Sequence, residues 1–69
     1  MIRQRELLRV LHKVGWYIAR TEDHHILKRS DGPGRVIVPL HRDIKPGTFH
    51  NILKQAGLAL DEFEALRKD

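Results

Sequence analysis

The order of patterns along this 69-residue chain predicts an α+β fold. A three-stranded antiparallel sheet carries helices packed on one face, in the order α-β-β-β-α with a short C-terminal helix. Three observations carry that prediction. Apolar residues recur at helical spacing in two stretches, one before and one after the middle of the chain. Between them lie three short runs rich in aromatic and β-branched residues, joined by turn residues in meander order. A sheet covered on one side only needs helices over that side. A chain of this length buries only about 60% of the surface its unfolded form exposes, so residues 1–69 make one domain of marginal stability.

From Arg3 to Val14, the residues Leu7, Leu8, Leu11 and Val14 mark the apolar stripe of a first helix, with Arg5, Glu6, Arg9, His12 and Lys13 on the other sides. Gly15 ends it where the next residue must adopt positive φ. Trp16 to Thr21 alternates roughly and reads as a first strand with Trp16 and Ile18 inward. Glu22-Asp23 supply a turn, His24 to Arg29 form a second strand, and Ser30-Asp31-Gly32-Pro33-Gly34 is a turn cluster before a third strand at Arg35 to Val38. Pro39 has no N–H for a ladder and closes that strand. Leu40 to Lys45 is expected as a loop. Pro46 then opens a second helix whose inward residues are Phe49, Ile52, Leu53 and Ala56, ended by Gly57, with Leu58 packing back after the turn. Leu60 to Leu66 makes a short last helix with Phe63 and Leu66 inward. Its cap position is Ala59, which has no side-chain oxygen and so predicts fraying at a cost of about 1 kcal/mol.

There is no cysteine, which removes disulfides and thiolate zinc sites, and packing alone must hold the fold. The charged opening Met1-Ile2-Arg3-Gln4-Arg5-Glu6 is unlike a secretory leader, and no apolar run approaches a membrane span. A soluble cytoplasmic protein with no membrane contact is expected. Thirteen Lys and Arg against nine Asp and Glu leave a net charge of +4, which suits an anionic partner, nucleic acid above all.

Imidazole is the one side chain here whose unperturbed pKa lies near neutrality, and His24-His25 is its densest supply. Consecutive strand residues point to opposite faces, so only one of the two belongs to a given site, and alternation by itself does not say which faces solvent. One such imidazole could handle protons in RNA cleavage, where the ribose 2′-hydroxyl is the nucleophile and cations hold the phosphate. Lys28, Arg29, Arg35, Lys45 and Lys54 are available cations. The ordinary alternative is two surface histidines and a solvated basic surface. The spacings of His24, His25, His41 and His50 do not match a metal-ligand pattern, and no cofactor is called for. Lys45-Pro46-Gly47-Thr48 opens a helix with a cation, a small residue and a hydroxyl, a setting that can hold phosphate. No phosphate-loop, nucleotide or Ser-His-Asp signature is present.

With these residues in hand, the chain resembles the HicA family, small toxins of toxin-antitoxin pairs that act as mRNA interferases. The resemblance lies in a first helix ending at Gly15-Trp16, the paired histidines, and Asp31-Gly32 before Val36-Ile37-Val38-Pro39. It continues through His41, Lys45-Pro46-Gly47-Thr48, Ile52-Leu53-Lys54-Gln55-Ala56-Gly57-Leu58 and Glu62-Phe63, and the second-helix segment is the most specific part.

That resemblance implies a fold like a double-stranded RNA-binding domain, an mRNA endoribonuclease activity without a metal, and a HicB-like antitoxin that masks the active surface. It implies His24 as the catalytic histidine; the RNA contacts expected beside it, from the cations and the helix start read above, are Lys28, Lys45, Thr48 and Lys54. The sequence departs from the family where Glu22 and Asp23 stand in place of the usual Gly and Ser. Two carboxylates there repel phosphate, although one could orient the imidazole. The alternative is therefore a non-catalytic module of the same fold that binds RNA or an antitoxin.

Overall fold

The computed structural model describes residues 1–69. Eight elements follow one another: β1 (Ile2–Arg3), α1 (Gln4–Lys13), β2 (Trp16–Thr21), β3 (His24–Arg29), β4 (Val36–Pro39), β5 (Asp43–Ile44), α2 (Pro46–Ala56) and α3 (Leu60–Arg67). Strands β2, β3 and β4 form the expected antiparallel sheet in that spatial order, and the helices pack against it. Gly15 and Gly57 both have the positive φ that their helix ends require, 99° and 67°.

Directly opposed residues of paired strands share a face of the sheet. Leu27 lies opposite Val36 and His25 opposite Val38, and Leu27, Val36 and Val38 are all buried, so this is the covered face. The open face carries His24, Ile26 and Lys28 with their partners Pro39, Ile37 and Tyr17. Strand β2 has a bulge between Ile18 and Arg20. Ala19 is the extra residue, and it shifts the alternation by one. Trp16 is buried on the covered side. Ile18, expected inward, faces that side but is 46% exposed, because β2 is an edge strand and Ile18 borders an open depression shared with Leu8 and His12. Beyond the bulge Arg20, opposite Ile26, emerges on the open side while Thr21 stands opposite His25.

Twelve buried residues, all apolar, make the core: Ile2, Leu7, Val10, Leu11, Trp16, Leu27, Val36, Val38, Ile44, Ile52, Leu53 and Phe63. The stripe of α1 is rotated from the expected one. Val10 is fully buried and Val14, expected inward, is exposed, because α1 ends at Lys13 and Val14 already leaves the helix. The stretch from Leu40 to Lys45 is likewise not all loop, since β5 pairs with β1 and sets Ile2 opposite Ile44, both buried. Strand β4 begins at Val36 rather than Arg35 and includes Pro39, which lies opposite His24.

The outer edge of β4 is occupied by side chains. Ile37 N–H donates to Gln55 Oε1 at 2.9 Å, and Gln4 Nε2 donates to the Pro39 carbonyl at 2.6 Å. A proline and two glutamines thus close an edge that could otherwise pair with another strand.

Helix α3 is better fixed than its missing cap suggests. Glu62 Oε1 accepts from Ala59 N–H at 2.9 Å, supplying half of a capping box. At the other end, cations of α1 take up the free carbonyls. Lys13 Nζ donates to Leu66 O at 2.9 Å and to Asp69 O at 3.1 Å, and Arg9 Nη2 donates to Arg67 O at 2.8 Å. Phe63 is fully buried edge-on against Phe49, with ring centroids 4.9 Å apart.

Glu6 joins this seam, bonded to Arg9 at 3.1 Å and paired with Arg67 at 3.3 Å. The Arg9 hydrogen bond, aided by the charges of Arg9 and Arg67 and opposed by partial desolvation, holds its carboxyl below the ordinary 4.5. A carboxylate whose folded pKa is depressed contributes stability above its unfolded value and loses it as pH falls through the folded value. Glu6→Gln is therefore expected to flatten the acid side of the stability profile, measured by thermal unfolding between about pH 6 and pH 3. A mutant whose profile keeps the wild-type acid slope would assign that slope to other groups.

Candidate functional site

His24 opens β3 immediately after the Glu22-Asp23 turn. Its imidazole is exposed on the open face, makes no side-chain hydrogen bond, and shares a shallow depression with Glu22, Asp23, Ile26 and Ile37. The turn is fixed by Glu22 N–H donating to the His24 carbonyl at 3.0 Å. His25 is a different kind of residue. It is half-buried on the covered face, with Nδ1 2.8 Å from Thr21 Oγ1, a bond that ties the ends of β2 and β3.

The two turn carboxylates are not equivalent. Arg20 Nε pairs with Glu22 Oε2 at 2.8 Å, so the charge of Glu22 is largely answered within the same turn, and the pair keeps Arg20 close to the His24 end of the sheet. Asp23 makes no ion pair. The uncompensated negative charge beside His24 is therefore one carboxylate rather than two.

A second region adjoins the end of β4. Pro39, opposite His24 in the ladder, also lines a depression with His41, Arg42, Asp43, Ile44, Lys45 and Thr48. Next to it, sharing the wall made by His41 and Arg42, lies a depression lined by Arg3, Gln4, Arg5 and Leu40. The only carboxylate in either is Asp43, which pairs with Arg3 at 3.4 Å. Lys45 is the N-cap of α2 and makes no side-chain cap bond, so the N–H groups of Gly47 and Thr48 point out of the helix end without an intrahelical partner. Pro46 has no N–H to satisfy there.

Of the residues singled out from the sequence, Lys45 and Thr48 are thus brought together, next to His41. Lys28 shares the face of His24 but stands four residues along β3, opposite Tyr17. Lys54 is exposed on the last turn of α2 and joins neither group. Sequence reasoning missed Arg3, Arg5 and Arg42, which gather only because β1 pairs with β5, and it missed Arg20, which faces outward only because of the bulge. No group of three His, Asp or Glu side chains converges as a metal-ligand set, and no helix is long and apolar enough to cross a membrane.

Comparison with known proteins adds one finding to this geometry. A family model described as the HicA toxin of bacterial toxin-antitoxin matches residues 4–58. That stretch contains α1, the whole three-stranded sheet with His24, both depressions apart from Arg3, and α2. A search of curated proteins finds no match.

Proposed function

From the premise that this chain belongs to the HicA toxin family of bacterial toxin-antitoxin systems, we propose that it is an mRNA endoribonuclease that needs no metal, uses His24, and is held inactive in the cytoplasm by a HicB-type antitoxin. The observation that carries the reading is an unbonded, exposed imidazole on the open face of a basic sheet, inside the stretch matched to the family. In the proposed reaction the ribose 2′-oxygen bonds to phosphorus as the bond from phosphorus to the 5′-oxygen breaks. The 2′-hydroxyl proton goes to a base and the departing 5′-oxygen receives one, leaving a 2′,3′-cyclic phosphate and a 5′-hydroxyl. His24 serves one of these transfers. Lys45, with His41 and Arg42 beside it and the free N–H groups at the start of α2, attracts the phosphate, and Lys28 extends the contact along β3. Lys54 contributes to the general field. Thr48 offers a hydroxyl at the same helix end.

One observation favours a second reading, a module of the same fold that binds RNA or antitoxin without cutting: Asp23 stands beside His24 with no cation to answer its charge. The two readings separate on purified protein incubated with mRNA in excess chelator. Fragments ending in cyclic phosphate support the nuclease, and retardation of RNA that is never shortened supports the binding module. Asp23→Ser is expected to tighten RNA binding roughly threefold to tenfold at low salt, an effect that shrinks as salt rises. Glu22→Gly should do less, because the carboxylate it removes is already held by Arg20 at 2.8 Å. Equal gains from the two changes would mean that the Arg20 pair does not shield the site in solution.

A further inference from the structure

Beyond the proton-transfer and phosphate groups, the open face carries one aromatic ring. Of the four aromatic residues, Trp16 and Phe63 are buried and Phe49 is half-buried against Phe63, whereas Tyr17 is 45% exposed and its hydroxyl bonds to nothing in the protein. Its place is set by the ladder. Tyr17 lies directly opposite Lys28, on the face that also holds Ile26, Ile37, Arg20 and His24. Tyr17 also borders a depression at the β2 edge with Leu8, His12 and Ile18, while the core side is filled by the neighbouring Trp16 with the Arg29 guanidinium 4.9 Å over its ring.

We propose that Tyr17 is a base-stacking residue that holds a base of single-stranded RNA on the open sheet face and gives the protein a preference for purines at that position. This rests on the reading of the chain as an RNA-directed protein, and it adds where along the strand sequence is sensed. A π-face beside a lysine suits an unpaired nucleotide: the ring takes the base and the ammonium of Lys28 takes the adjoining phosphate. Glu22 and Asp23 lie at the far end of this face, while at the Tyr17 end Lys28 makes no ion pair and the nearby Asp31 is paired with Arg29 at 3.9 Å. Lys28 and His24 are four residues apart on β3, which places Tyr17 about 13 Å from the His24 position along the strand. That span is about two extended nucleotide steps, so the sensed base is not the one whose sugar reacts. Between the two ends, the half-buried Ile26 and Ile37 provide an apolar floor for the intervening base. Purines stack better than pyrimidines because they present more π-surface, and this is the origin of the preference.

The test uses short single strands carrying 2′-O-methyl groups, which remove the nucleophile and make binding independent of cleavage. Wild-type protein is expected to bind the oligoadenylate more tightly than the oligouridylate. Tyr17→Ala should weaken oligoadenylate binding about 5- to 100-fold and nearly abolish the difference between the two. Tyr17→Phe should keep both, since the ring and not the hydroxyl does the stacking. Lys28→Ala should weaken both strands alike and reduce the salt dependence. An unchanged oligoadenylate affinity in folded Tyr17→Ala overturns the proposal, as does a loss equally large in Tyr17→Phe. Tyr17→Ala that keeps RNA affinity but loses the antitoxin also overturns it, assigning the ring to a protein interface. If RNA is bound with the Tyr17-dependent preference yet unmodified RNA is never cut, the stacking assignment stands and the nuclease reading falls. If RNA is cut but Tyr17 changes nothing, the reverse holds.

Discussion

Replacing His24 by alanine is expected to lower RNA cleavage by about 10²–10⁴-fold, the range that positioned proton transfer supplies, and to leave the fold intact. The two halves of this prediction have separate grounds. His24 is exposed, accepts and donates no side-chain hydrogen bond, and contributes to the sheet through its backbone opposite Pro39. An exposed substitution away from caps and core typically changes stability by no more than about 0.5 kcal/mol. His25 offers the internal control. Its half-buried ring is bonded to Thr21 across the β2–β3 connection, so His25→Ala should cost about 1 kcal/mol of stability and leave the turnover of folded protein near wild type. Rates measured on RNA alongside thermal melts would separate the pair. Undiminished cleavage by folded His24→Ala protein would remove His24 from the reaction.

Phe63→Ala is expected to destabilise the chain by about 3–5 kcal/mol. The side chain is fully buried, meets Phe49 edge-on, and belongs to a core of only twelve residues. A chain of this length has a total stability of roughly 3–10 kcal/mol, so the change removes a large share of it. Urea unfolding should show a midpoint far below wild type or no folded baseline at all. The prediction carries a further point, because Phe63 lies beyond the stretch matched to the family, residues 4–58. Cutting the chain after Leu58 would remove the ring together with the helix end that Lys13 and Arg9 hold, and should be at least as damaging. A truncated chain that melts like the full one would show that α3 is an appendage.

The elements of this fold were legible where a pattern is long enough to have a period. Trp16 to Thr21 and His24 to Arg29 are strands with the bounds expected from their composition, and Pro46 and Gly57 bracket α2 as their chemistry requires. Two-residue strands have no period to detect. Ile2 and Ile44 each look like isolated apolar residues, and only their pairing across the length of the chain shows why both are apolar. The same limit hid the cationic wall at Arg42. Val10 and Val14 differ by one helical turn, and which of them is buried depends on where α1 stops. For the site, the histidine pair was plain in the sequence but its orientation was not, because Ile26 and Leu27 are both apolar and fit either face. Val36 and Val38 decide it from the neighbouring strand by holding Leu27 and His25 on the covered side. The ion pair that separates Glu22 from Asp23 was equally out of reach, since it depends on where Arg20 emerges.

The extra residue at Ala19 makes that emergence a matter of counting. Deleting it would let β2 pair with β3 without interruption and would leave Arg20 opposite Ile26 and Thr21 opposite His25, on the faces they already occupy. Flattening the bulge with Ala19 kept would instead put Ala19 opposite Ile26 and Arg20 opposite His25 on the covered side, so that Glu22 would lose its cation and two free carboxylates would stand beside His24. The electrostatic setting of His24 therefore depends on Ala19 staying out of the ladder.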